Sequence, residues 1–275
     1  MIRAALCCVA LAGPAAAGEG DALCQSVWAD LTTRFAMALP LQGTVGAAEG
    51  DWCLVSDLVV DLPGDYSPDL HADALRFRGP ALGWLVDGLT QPTGLEVRAE
   101  AVRLALRTGD AQMDWLYAAQ ARATPIQADL ALAWDPAARV LTLDRLELDF
   151  PGENRVSLTA EVAGVDLSST GAMQMSTTSF AVTGADLAVQ THGLFEWYAL
   201  MTFGPQLLPR EGDMDAAARA LRGDLLDLIA RLPEPAFPPA SRAALASLAA
   251  ELPNPAGRLS LSFRADPGFG PARLA

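Results

Sequence analysis

From Ile126 the chain alternates apolar and polar residues with a period of two. Ile126, Ala128, Leu130, Leu132 and Trp134 share one parity as far as the turn signal Asp135-Pro136. Leu141 and Leu143, then Leu146, Leu148 and Phe150, follow with a parity slip at Asp144-Arg145. The turn Pro151-Gly152-Glu153-Asn154 leads into Val156, Leu158, Ala160 and Val162. This pattern predicts three antiparallel strands in a meander.

Upstream, Trp52, Leu54, Leu58, Val60 and Leu62 fall on one parity and Cys53, Val55, Asp57, Val59 and Asp61 on the other, before the turn Pro63-Gly64-Asp65 and a strand near Leu70 to Phe77. Leu95, Val97 and Ala99 alternate, and Val102, Leu104 and Leu106 continue on the opposite parity. The slip suggests a bulge near Glu100-Ala101; a helix is the competing reading, since Glu96, Glu100, Arg103 and Arg107 also fit a helical stripe. Met113, Trp115 and Tyr117 read as a further strand after Thr108-Gly109-Asp110. Phe180-Val182, Leu187-Val189 and finally Leu259, Leu261 and Phe263 extend the same sheet.

The four-residue spacing of Leu23, Val27, Leu31, Phe35 and Leu39 predicts a helix over 21–39, ended by Pro40. A short helix over 81–89 opens at Pro80 and closes at Gly88. Residues 192–203 read as a helix stopped by Gly204-Pro205. Asp213 to Leu232 is amphipathic, with Met214, Ala218, Leu221, Leu225, Leu228 and Leu232 on one side and Arg219, Arg222 and Asp227 on the other. Across a short Pro-rich connector it pairs with Ser241 to Leu252, a helical hairpin at about 211–252. The expected fold class is α+β: a long, mostly antiparallel meandering β-sheet of about nine strands, partly covered by N-terminal and C-terminal helices.

Met1-Ile2-Arg3, an apolar run from Ala4 to Leu11, the break at Gly13-Pro14 and the small residues Ala15-Ala16-Ala17 read as a cleaved secretory signal peptide, residues 1–17. The mature chain, 18–275, is then a single α+β domain in the periplasm with no transmembrane segment. Cleavage removes Cys7 and Cys8 and leaves Cys24 and Cys53, a pair expected to form a disulfide in an oxidising compartment and to tie the first helix to the sheet.

The composition narrows the chemistry. The chain of 275 residues carries 19 Lys+Arg against 33 Asp+Glu, a net charge of −14, with 51% hydrophobic residues. That is ample for a core, and a strongly acidic surface repels nucleic acid. All the basic residues are arginine, so lysine Schiff bases, lysine general bases and P-loop lysines are excluded. His71 and His192 are the two histidines, too few for a three-histidine metal site.

Motif by motif, catalytic residues fail to emerge. There is no Gly-x-Ser-x-Gly elbow, and Ser168, Ser169 and Ser176 fall in a polar loop. His192 reads as a helix start, and His71 as part of a solvated face beside Asp69 and Asp73. Asp57, Asp61, Asp65, Asp69 and Asp73 recur every fourth residue without a calcium-loop pattern, so turns and a solvated face account for them, and no metal is expected. Paired carboxylates for glycoside hydrolysis remain open in so acidic a chain. Carbohydrate sites, however, present exposed aromatics, whereas Trp52, Trp115 and Trp134 fall on the apolar parity and read as core. No catalytic residue and no cofactor is assigned.

Three runs, Ala128-Asp129-Leu130-Ala131-Leu132, Leu141-Thr142-Leu143-Asp144-Arg145-Leu146-Glu147-Leu148 and Arg258-Leu259-Ser260-Leu261-Ser262-Phe263-Arg264, resemble AsmA-like and related uncharacterised periplasmic β-rich proteins of alphaproteobacteria. The resemblance covers a third to a half of the chain. It implies an elongated sheet with an apolar concave face and, for several relatives, a part in lipid traffic or outer-membrane upkeep. The expected cleavage leaves no N-terminal anchor, so a membrane-bridging role is not implied.

The expected function is therefore non-enzymatic: a periplasmic protein of the cell envelope that binds an apolar ligand such as a lipid, or an envelope partner protein, along a β-groove. Ile126, Leu130, Trp134, Leu141, Leu143, Val156 and Leu158 are its candidate ligand-binding residues. The alternatives are a structural or protein-interaction module with a self-buried core, using the C-terminal hairpin, and, ranked below both, a hydrolase.

Overall fold

The computed structural model describes residues 19–63 and 68–271. Residues 1–17, expected to be a signal peptide, and the Gly64-Asp65 part of the first turn lie outside the described residues.

Nine antiparallel strands form one sheet in strict chain order. They are β1 (Leu41–Ala47), β2 (Cys53–Val60), β3 (Pro68–Arg78), β4 (Gly94–Leu106), β5 (Ile126–Asp135), β6 (Val140–Phe150), β7 (Asn154–Ala163), β8 (Ala181–His192) and β9 (Ala256–Phe269). The helices are α1 (Glu19–Phe35), α2 (Ala81–Asp87), α3 (Ala111–Ala123), α4 (Thr170–Ser179), α5 (Met201–Leu207), α6 (Met214–Ala230) and α7 (Pro239–Glu251), with a π-helical segment, Phe195–Leu200, before α5. The α+β architecture is as the alternation predicts.

The register explains the sheet's chemistry. Ala47, Cys53, Phe77, Val97, Leu130, Leu146, Leu158, Leu187 and Leu261 stand opposite one another across all nine strands. So do Val45, Val55, Leu75, Ala99, Ala128, Leu148, Val156, Val189 and Leu259. One face thus carries unbroken apolar rows from edge to edge.

The other face carries arginine–carboxylate pairs: Arg78 with Glu96 (2.7 Å), Arg98 and Arg145 with Asp129 (3.2 and 2.8 Å), Arg103 with Asp73 (2.6 Å) and Arg264 with Asp186 (2.7 Å). Each exposed pair contributes only about 0–1 kcal/mol. Their stronger effect is on register, because a one-residue slip would turn every arginine onto the apolar face.

The parity slips are resolved as bulges. Ala101 has φ 53° and β4 shifts register against β5 between Ala99 and Val102, as the break near Glu100-Ala101 predicts. β6 shifts against both neighbours around Asp144-Arg145, likewise as predicted. In β2 the expectation fails: Cys53, Val55 and Leu58 are all buried, so they share a face. Asp57, with φ 52°, is the extra residue that resets the parity. The pairings on either side of Asp57, Asp73 and Ala101 keep one register from β2 through β4, so the extra residues align and no shift appears among the three strands.

Two further expectations are corrected. Met113, Trp115 and Tyr117 lie on α3, not on a strand. Asp110 caps that helix by accepting from the N–H groups of Gln112 (3.0 Å) and Met113 (2.9 Å), and Ala118, Ala119, Ala121 and Ala123 favour helix. Ser169 and Ser176 are not in a loop: Ser169 caps α4, and Ser176 is buried, accepting from the N–H of Asp166 at 2.8 Å.

The densest core lies at the N-terminal end. Cys24 and Cys53 form a disulfide that fastens α1 to β2, and Val27, Val55, Leu58, Ala72, Phe77 and Leu82 pack around it. Cross-linking residues 29 apart in sequence removes unfolded-state entropy equivalent to about 3–4 kcal/mol.

Candidate functional site: an apolar cleft under the helical hairpin

Coverage of the apolar face changes along the sheet. In one row, Cys53 is 1% exposed and Phe77 4%, whereas Leu130, Leu146, Leu158 and Leu187 are half-buried and Leu261 is 50% exposed. Leu146 and its neighbour Glu147, on opposite faces, fall in the same half-buried range. Among the apolar side chains of β5–β9 Trp134 is the buried one, because the loop after β7 covers it and its Nε1–H donates to the Val165 carbonyl (2.9 Å).

Over β6–β9 the hairpin of α6 and α7 stands above the apolar face and leaves a cleft of about 690 Å³. Phe150, Val156, Val189 and Leu259 form its floor; Leu225 and Ile229 of α6, Leu245 and Leu248 of α7 and Leu252 just after it form its roof. Leu194, Phe195 and Tyr198 close one end, and the Tyr198 ring lies 5.0 Å from that of Phe150. Burial in this setting pushes the Tyr198 phenol above its ordinary range. A smaller chamber of about 150 Å³ adjoins the cleft, sharing Phe195, Leu225 and Leu252 with it. Among its apolar walls is one charged group, Arg222 of α6. The cleft's volume is in the range of small-molecule sites, and its lining offers burial with few polar anchors.

The seven residues singled out from sequence all lie on β5, β6 and β7, on the apolar face. Trp134 pairs with Leu141, Leu130 and Leu158 each with Leu146, Val156 with Leu148, and Ile126 with Val102, while Leu143 stands between Leu132 and Ala160. Val156 lines the cleft; Leu130, Leu141, Leu143 and Leu158 lie elsewhere on the same face. The roof residues were missed, apart from Leu225. The stripe Ala218-Leu221-Leu225-Ile229 is the inward face of α6, whereas Leu228, expected inside, is 60% exposed. Arg222, expected on the polar side, reaches the small chamber.

The groups weighed for catalysis are dispersed. His71 sits on the polar face between Val59 and Arg103. His192 ends β8 rather than opening a helix, and its backbone N–H donates to Asn154 Oδ1, whose amide in turn donates to the Pro151 carbonyl (2.7 Å). Arg107 takes up both Asp61 (2.6 Å) and Asp69 (3.1 Å). Asp186 is held below the usual carboxylate range by hydrogen bonds from Arg264 and Ser262, and Asp166 by bonds from Ser168. A polar hollow of about 430 Å³ on the charged face is lined by Asp149, Arg155, Gln190 and Arg258, with Asp149 paired to Arg155.

Nor are Trp52 and Trp115, the other two tryptophans that read as core, part of it. Trp52 lies under the guanidinium groups of Arg78 and Arg98 (4.5 and 4.8 Å), and Trp115 is 64% exposed. Among the described residues no cluster of three potential metal ligands occurs, and no helix is long and apolar enough to cross a membrane. Comparison with known protein families, curated proteins and solved structures gives no match.

Proposed function

We propose that this chain is a non-enzymatic periplasmic protein of the cell envelope that holds the acyl chain of a lipid in the cleft between β6–β9 and the hairpin of α6 and α7. The observation that carries the reading is the cleft itself, about 690 Å³ walled almost entirely by aliphatic and aromatic side chains beside apolar rows that no helix seals. Contiguous apolar surface of this kind is retained in a secreted chain when it has an occupant. The resemblance of the strand runs to AsmA-like proteins points the same way.

Titration of the purified chain with a fluorescent fatty acid tests it. The expected result is saturable binding of one equivalent, lost when Val156→Trp fills the floor of the cleft. A wild-type chain that leaves the probe's emission unchanged contradicts the proposal. Export is tested separately: the N-terminus of protein recovered from the periplasm should begin at Gly18.

A further inference from the structure

Arginine on this chain is generally partnered by carboxylate, and the polar face shows it: Arg76, Arg78, Arg98, Arg103, Arg107 and Arg145 each hold an Asp or Glu. The described arginines without a carboxylate within 4.0 Å are of two kinds. Arg122, Arg210, Arg219, Arg231 and Arg258 are exposed, so water solvates them. Arg222 is half-buried against Leu221, Leu225, Phe195 and Leu252, and among the described residues its hydrogen-bond partner is the Ala250 carbonyl, which accepts from one terminal N–H at 3.3 Å. A guanidinium carries five N–H donors in a fixed fork, so most of its capacity is left to water or to an incoming acceptor.

We infer that the occupant of the cleft is an anionic amphiphile whose carboxylate or phosphate head is bound by Arg222 in the small chamber, with its alkyl chain in the larger one. The inference rests on the acyl-chain reading above and adds the head group. The two chambers share Phe195, Leu225 and Leu252, so a single molecule can fill both. A fork of donors matches two oxygens of one anionic head, whereas a neutral head forms no charge-assisted pair with Arg222 and a cationic head is repelled. The charge also selects orientation: of the described residues lining the two chambers Arg222 is the charged one, so an anionic head is drawn to its end.

Calorimetric titration of the full chain with palmitate, methyl palmitate and hexadecyl phosphate provides the test. At least one anionic ligand should bind roughly ten- to a hundredfold more tightly than the ester, as one charged hydrogen-bonding partner warrants. The anion that binds more tightly of the two identifies the head chemistry. Arg222→Gln should bring the anions and the ester to one common affinity, and measurable ester binding shows that the variant is folded. Arg222→Lys should keep part of the preference. If wild type does not discriminate the anions from the ester, or Arg222→Gln retains the full preference, the Arg222 assignment falls and the acyl-chain reading stands. If none of the three ligands binds, both fall.

Discussion

The two ends of the sheet are made of the same material and finished differently. In β1–β4 the apolar rows are closed by α1 and α2: Val27 and Val55 are fully buried, Phe77 and Leu82 nearly so, and a disulfide clamps the lid to β2. In β6–β9 rows of the same kind, among them Val156, Val189 and Leu259, lie under a hairpin that stands off the sheet and is joined to it by connecting segments, with no disulfide there among the described residues. Residue chemistry is therefore a poor guide to which part of a sheet is core and which is site. What separates them is whether a covering element reaches down into the rows.

The largest expected effect sharpens this contrast directly. Phe77→Ala empties a sealed position and should cost about 3–5 kcal/mol in denaturant unfolding. Leu158→Ala, in the adjoining rows, should cost about 1–2 kcal/mol, because a half-buried side chain has less surface to lose and no closed cavity forms. Equal losses at the two sites would break the comparison.

Next in size is the disulfide. The double variant Cys24→Ser, Cys53→Ser should lose about 3–4 kcal/mol, measured again by unfolding, while under native conditions its affinity for a fluorescent fatty acid stays within twofold of wild type. Loss of binding in a variant that remains folded would show the two ends to be coupled rather than separate.

The smallest effect concerns α3, between the two regions. Asp114 accepts from the backbone N–H and hydroxyl of Thr108 (2.6 and 2.7 Å), and these bonds hold its carboxyl below the usual range. A depressed folded pKa gives stability that is present above the unfolded value of about 3.9 and lost as pH falls through the folded value. Near-UV circular dichroism of an acid titration should therefore show Asp114→Asn to be less stable than wild type near neutrality, with the difference vanishing at the most acid end. A difference that grows with acidification would contradict the assignment.

Much of the sheet was legible in sequence because its rows are strict. From Ile126 to Val162 each strand alternates cleanly, and at Ala101 and Asp144-Arg145 the alternation breaks where the backbone bulges. The count of about nine strands agrees partly by offset: α3 read as a strand, while β1 was missed because Gln42, Gly43, Thr44 and Gly46 interrupt its apolar signal. The slip at Asp57 escaped notice because β2 is too short to display a sustained pattern on each side of it. Trp52 misled for a different reason: an indole fits an apolar parity equally well when it lies beneath two guanidinium groups on the wet face.

The site was less legible than the fold. Parity in β5–β7 identifies the apolar face, but not which part of it is roofed, since that depends on where a hairpin some sixty residues away in sequence comes to rest. The one-residue choice between Leu228 and Ile229 on α6 turns on the direction of packing, which a helical stripe leaves open by about a third of a turn. Arg222 looked like an ordinary solvated residue because its place in the wall of an apolar chamber, without a carboxylate among the described residues, is a fact of three dimensions.

Native mass spectrometry of the chain purified gently from the periplasm tests the central claim most directly. The account predicts a population carrying one non-covalent adduct of single-chain lipid mass, removed by delipidation and restored by palmitate. A homogeneous ligand-free species that takes up no palmitate would contradict it.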